Sequence, residues 1–198
     1  MKKKIFSAYD IIFIISVIAV FVYAVFVSPV HSIADQGDFE RVMRPCGLDF
    51  PSDYSFYDYA VRFFNMKFTS VDLLLYVPRL LFLVPTTTFI FPTAAARLIC
   101  LPFGAFDMRI LAVIMFLWYA TVCFFIQRKF KIENKFLHCI FLLFFIVVFF
   151  NGVNLTLLNS LYGQSVMLVS FATVVLFGLY MFENVHDAKI SVIILFTV

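Results

Sequence analysis

The residues best equipped for chemistry follow the first apolar run of the chain, in His31-Ser-Ile-Ala-Asp35-Gln-Gly-Asp38-Phe-Glu40-Arg41-Val-Met-Arg44. Three carboxylates and two guanidinium groups fall close together, with Gly37 free to make a tight turn among them. A carboxylate with apolar surroundings on one side and water on the other can have a raised pKa or act as a strong acceptor. Such a group can deprotonate or orient an incoming hydroxyl. Arg41 and Arg44 can hold a phosphate through forked hydrogen bonds. The same residues also allow a plainer reading, a solvated cluster that caps a short helix. Asp38, Glu40 and Arg41 would then be first-turn residues, and Glu40 and Arg44 an i,i+4 pair.

A second stretch, Asn151 to Ser165, is polar but carries no charge. Asn159, Tyr162 and Gln164 are of sugar-contacting type, an aromatic face beside amide donors and acceptors. The alternative is helix capping, with Tyr162 in an interfacial aromatic belt. Arg97 and Arg109, with Asp107 between them, can bind a lipid phosphate or simply snorkel to the membrane surface. The spacing of histidines and cysteines predicts no metal site, and the D-x-D-x-D-G calcium pattern is absent. Neither a Ser-His-Asp arrangement nor a phosphate-binding Walker loop is present. A Cys46–Cys100 bridge requires both residues to face an oxidising compartment. No cofactor is identified.

The elements that position these groups are transmembrane. Of the 198 residues, 64% are hydrophobic and 14% charged, whereas soluble domains are about half apolar and a quarter charged. Runs of roughly 20 apolar residues cross a hydrocarbon core, and they fall at about 11–27, 110–126, 136–150 and 165–182, with a fifth beginning at 190. The apolar stretch Phe103–Phe106 is available to lengthen the second. Lys2, Lys3 and Lys4 before the first run read as a retained signal anchor with a cytoplasmic N-terminus. Arg128, Lys129, Lys131 and Lys135 place the next short loop on the same side. Residues 28–109 then form a long outer loop that holds most of the acidic residues. Leu73–Phe91 is nearly apolar enough to span, but it contains Arg79, and a central arginine costs at least about 2.5 kcal/mol. It is expected to lie as one or two helices against the outer membrane surface. Tyr57, Ala60, Val61, Phe64 and Phe68 repeat at helical spacing and predict an amphipathic helix after a cap at Asp53 or Ser55. Thr69, Ser70 or Asp72 would cap the next helix. The expected fold class is all-α: polytopic transmembrane helices with a long first outer loop containing juxtamembrane amphipathic helices. The small net charge, +3, with scattered basic residues, points to no nucleic-acid partner.

This layout resembles the GT-C superfamily of membrane glycosyltransferases, which use polyprenyl-phosphate-linked sugars. The likeness lies in the order of parts. Span one leads to Asp35-Gln-Gly-Asp38-Phe-Glu40-Arg41, and a long outer loop follows. Pro102-Phe-Gly104-Ala-Phe-Asp-Met-Arg109 stands before span two, then a basic turn, then Asn159-Ser160-Leu161-Tyr162-Gly163-Gln164. The resemblance implies that Asp38, or else Asp35 or Glu40, is the catalytic carboxylate and that Asp38 acts as general base. It implies a donor phosphate near Arg41, Arg44, Arg97 and Arg109, and sugar or acceptor contacts at Asn159, Tyr162 and Gln164. The implied partners are the lipid-linked sugar, membrane lipid and a glycan, lipid or protein acceptor. Gln164 stands where many relatives carry an acidic residue, which argues against a two-carboxylate or metal-bridged mechanism. The four or five spans are fewer than is usual, so residues 1–198 are expected to be the N-terminal portion of a longer module in the cell membrane. The alternatives are a non-catalytic accessory subunit or a component of lipid-linked glycan flipping or polymerisation.

Overall fold

The computed structural model describes residues 7–35, 37–50, 67–70, 87–130 and 132–183. Helix α1 (Ala8–Phe26) starts at a reciprocal cap. The Ser7 hydroxyl accepts from the Asp10 amide, and the Asp10 carboxylate accepts from the Ser7 amide at 2.8 Å, so two otherwise orphaned donors are paired. The helix stops short of Pro29, and the chain folds back so that the His31 amide donates to the Ala24 carbonyl at 2.9 Å. A short helix α2 (Glu40–Met43), a 3-10 turn (Arg44–Cys46) and strand β1 (Leu48–Asp49) follow. Strand β2 (Lys67–Ser70) pairs antiparallel with β1 and with β3 (Phe106–Asp107), in the registers Leu48 to Ser70 and Lys67 to Asp107. Helix α3 (Thr87–Cys100) and a 3-10 turn (Leu101–Phe103) lie between β2 and β3.

Among the described residues, three long apolar helices form the body: α1, α4 (Met108–Lys129) and α7 (Gly163–Glu183). Helices α5 (Lys135–Phe149) and α6 (Gly152–Leu158) meet at a bend of 50° and make a broken span or re-entrant pair. A 19-residue helix is about 29 Å long at 1.5 Å per residue, which matches the hydrocarbon thickness. The bend would strand carbonyls in apolar surroundings, where they are costly. They are covered instead. Asn151 Nδ2 donates to the Val148 carbonyl at 2.9 Å, and Asn154 Nδ2 to that of Phe149 at 3.0 Å. The Tyr119 hydroxyl reaches the Phe149 carbonyl from α4 at 3.0 Å. The core between the helices is aromatic, with Phe21 stacked on Phe116 at 4.0 Å and Phe13 edge-on to Phe150 at 5.8 Å.

Contacts at the two ends fix the helix directions. At one end, Gln127 Nε2 donates to Asp10 Oδ1 at 3.1 Å, Tyr9 stacks on His138 at 4.1 Å, and the Lys129 ammonium sits 3.4 Å from the Tyr180 ring centroid. Helices α1 and α5 therefore run one way, and α4 and α7 the other. The three-stranded sheet, α2 and α3 gather towards the opposite end, where α3 packs on α4, and α6 packs on α1 and α4.

The all-α polytopic expectation holds for the spans, and several local expectations change. Phe103–Phe106 does not lengthen span two, because the 3-10 turn ends at Gly104 with φ 72° and Phe106 joins the sheet. The amphipathic helix expected to reach Phe68 does not extend there. Lys67 to Ser70 alternate in burial, which suits a strand. Thr69 and Ser70 are strand residues, and the helix they are expected to cap lies outside the described residues. The stretch read as the loop Asn151–Gln164 contains α6. Asp10 lies inside α1 and is buried, although the apolar run is expected to begin only at residue 11. Residues 51–66 and 71–86, which hold most of the expected juxtamembrane helices, lie outside the described residues, as does the fifth span.

Two outcomes follow. Asp10→Ala removes the cap and the acceptor of the buried Gln127 amide, and should cost about 1–3 kcal/mol, read as a lower thermal midpoint in detergent. Asp10→Asn keeps an acceptor oxygen and should recover much of the loss. At Asp107, burial alone would raise the carboxyl pKa, but hydrogen bonds from Arg109 and the charges of Arg109 and Lys67 bring it below the ordinary carboxylate value. That contribution is complete above the unfolded value of about 3.9 and is lost as pH falls through the depressed folded value. Acid titration of thermal stability should show the loss, and Asp107→Ala should flatten it.

Candidate functional site

The site grows from a clasp between the segments that follow α1 and α6. Asn159 is fully buried. Its Nδ2 donates to the His31 carbonyl at 2.9 Å, and its own carbonyl accepts from the Ser32 hydroxyl. The Tyr162 hydroxyl donates to the Ala34 carbonyl at 3.1 Å, and the Phe39 ring meets the Tyr162 ring edge-on at 5.1 Å. Ser165 Oγ lies 2.7 Å from both the Leu157 and the Tyr162 carbonyls, which braces the approach to α7.

A carboxylate turn then presents the charged residues. Asp35 is 2% exposed, and its Oδ1 accepts from the amides of Gly37 at 2.7 Å and Phe39 at 3.2 Å. Gly37 has φ 98°, a conformation that L residues rarely adopt. Helix α2 begins one turn later and carries two ion pairs, Asp38–Arg41 at 3.2 Å and Glu40–Arg44 at 2.7 Å. Both are partly solvent-exposed, so they contribute little to stability.

Together the clasp and the turn bound a cavity of about 500 Å³. Asp38 lines it from the turn before α2 and Arg41 from α2, with Tyr162 just before α7 and Gly163 and Gln164 at its start. Phe89, Leu161 and Met167 supply apolar wall. The first turn of α7 adds the partial positive charge of a helix N-terminus. The structure thus brings four of the expected site residues, Asp38, Arg41, Tyr162 and Gln164, to one cavity. Asp35 lies behind them and holds the turn, and Asn159 serves the clasp. Glu40 and Arg44 pair with each other along α2, outside the cavity lining. Arg97 lies on α3 and Arg109 at the start of α4. Arg109 is committed to Asp107, with Nε 2.9 Å from Oδ1. A smaller cavity of about 290 Å³ lies beside β2 and β3, lined by Lys67, Cys100, Phe103 and Asp107 among others.

Cys46 offers no nucleophile here. Burial pushes Cys46 up to about 12, against the opposing charge of Arg97, so it stays protonated at neutral pH. Nor are Cys46 and Cys100 joined; both are free. Cys46 Sγ sits by the Ile90 carbonyl, and ten helical residues, about 15 Å, separate Ile90 from Cys100. A disulfide needs Cα atoms within about 7 Å. Among the described residues, no three His, Cys, Asp or Glu side chains are grouped to hold a metal ion. Sequence reasoning missed Phe89, Leu161 and Met167 as cavity walls, because apolar residues in an apolar chain carry no local signal.

Spans, clasp and cavity define a multi-pass membrane protein whose polar pocket stands at one end of its helices. The chain belongs to the YfdI N-terminal transmembrane domain family, whose model matches residues 1–198. Comparison with curated proteins and with solved structures gives no match.

The turn geometry separates two roles for Asp35. Asp35→Asn keeps Oδ1 as acceptor for both amides and removes a buried charge whose Oδ2 has no hydrogen-bond partner among the described residues. It should fold with an unchanged or higher thermal midpoint. Asp35→Ala strands two amides and should lower the midpoint by an amount corresponding to about 1–3 kcal/mol. Equal destabilisation by both substitutions would contradict this role.

Proposed function

We propose that the cavity binds a polyprenyl-phosphate-linked sugar and supports its transfer to an acceptor hydroxyl, on the outer face of the membrane, as part of a longer GT-C-like enzyme. One observation carries the reading: a carboxylate, a guanidinium, an aromatic ring and an amide, drawn from two distant segments, share one cavity at a helix N-terminus. Asp38 takes the proton of the acceptor hydroxyl as that oxygen bonds to the anomeric carbon. The bond from the anomeric carbon to the phosphate oxygen breaks with inversion, and the phosphate leaves with its electron pair. Arg41 and the start of α7 stabilise the charge gathered on the leaving phosphate. Tyr162 and Gln164 offer a ring face and an amide to the sugar. In-membrane delivery of the donor accounts for a site without a nucleotide-binding loop. Placement on the outer face rests on the distribution of Lys and Arg.

A non-catalytic accessory subunit is the second reading. It is favoured by the fact that Asp38 and Glu40 already pair with Arg41 and Arg44 along and beside α2.

Asp38→Asn separates the two. General-base catalysis contributes about 10² to 10⁴-fold, so the variant should lose at least about a hundredfold in transfer of radiolabelled sugar from polyprenyl phosphate in membranes holding the intact protein. Its insertion and thermal midpoint should be unchanged. Full transfer would remove Asp38 as the base. Tolerance of simultaneous neutralisation of Asp35, Asp38 and Glu40 would favour the accessory role.

A further inference from the structure

We infer that α3 and the 3-10 turn after it lie in the lipid leaflet on the cavity's side, and that the cavity therefore opens sideways to that leaflet. One face of this segment is buried against the body through Phe89, Thr93, Ala96 and Cys100. The other face presents Phe91 (71% exposed), Leu98 (67%), Ile99 (51%), Leu101 (55%) and Phe103 (76%). Arg97 is the one charged residue between Thr87 and Phe103. A 14-residue helix is about 21 Å long, too short for a core about 30 Å thick, so it does not cross. An apolar strip of this size marks a partner or a membrane.

Continuity selects the membrane. On α7, Met167, Phe171 and Val174 are 69%, 66% and 54% exposed at helical spacing, on a helix long and apolar enough to span. Met167 lines the cavity at the head of that lipid-facing row. Across from it, Phe89 lines the cavity, and Phe91 on the same helix faces outward. Both lips of the cavity thus run directly into apolar surface, while Asp38, Arg41 and Gln164 remain at its polar lining. The ligand class that fits is an amphiphile, with a polar head in the cavity and a hydrocarbon tail along α7. Its identity as a sugar phosphate rests on the glycosyl-transfer reading, whereas the bilayer contact does not.

The test needs no activity. The chain has a single tryptophan, Trp118. In the intact protein freed of every native tryptophan, Trp118→Phe included, Phe91→Trp, Leu98→Trp, Phe103→Trp and Met167→Trp are placed one at a time in phosphatidylcholine/phosphatidylglycerol vesicles. The quenchers are phosphatidylcholines brominated near the headgroup or near the chain end, and acrylamide in the water. Shallow bromines should quench all four positions by about half or more, beyond deep bromines and acrylamide. Dominant acrylamide quenching would place α3 in water. Quenching by neither would mean that another protein segment covers it. Either result overturns the inference. Should a tryptophan variant fail to fold, a spin label at Ala95→Cys, on the same exposed face, should favour oxygen over a water-soluble nickel complex; the reverse preference overturns it.

Discussion

The site depends on the buried clasp of Asn159 and Tyr162 on the backbone of His31 to Ala34. These segments leave the helices close to an apolar medium, where an unpaired carbonyl is costly. Two side chains from one segment satisfy two carbonyls of the other. The pairing fixes the chain leaving α1 against the chain approaching α7, and the cavity is the space left between them. The same device recurs lower in the fold, where Asn151, Asn154 and Tyr119 cover the carbonyls at the bend after α5. Amide and phenol side chains thus allow irregular backbone inside a protein that is otherwise helix and lipid-facing surface.

Much of the body is legible from sequence because membrane spans are written as continuous apolar runs, and the helices start at local caps. Span one begins a few residues earlier than its apolar run, since Ser7 and Asp10 close a capping box ahead of Ile11. That cap carries a carboxylate into the helix, where hydropathy alone would not place it, and Gln127 on α4 gives it a buried partner. The sheet was not legible. Its outer strands are two residues long, and their pairing depends on segments far apart in the chain. Helix α3 was obscured by Pro92, which reads as a breaker yet sits buried inside it.

The acidic segment and the Asn159–Gln164 segment were each recognisable as polar stretches with chemical potential. Neither revealed which of its members meet. Ala34 and Tyr162 are 128 positions apart, and only folding shows that Tyr162 and Gln164 face Asp38 and Arg41 while Asn159 turns inward. Asp35 illustrates the difference between type and place. It has the right chemistry for a base, but its buried oxygen is spent on two backbone amides. Asp38, one turn on, is the carboxylate that lines the cavity. Membership of the YfdI N-terminal transmembrane domain family fits a polytopic scaffold of this kind and leaves the chemistry to the site itself.

The assembly of one cavity from two distant segments, proposed to face outward, is the central claim, and a membrane-impermeant bifunctional thiol reagent about 10 Å long tests it most directly. Applied to intact cells carrying Asp38→Cys and Gln164→Cys in a chain without its native cysteines, the reagent should join the two positions. A protease cut placed between them should then fail to separate the fragments. Reaction only after the cells are permeabilised, or modification of both thiols without a bridge, would contradict the account.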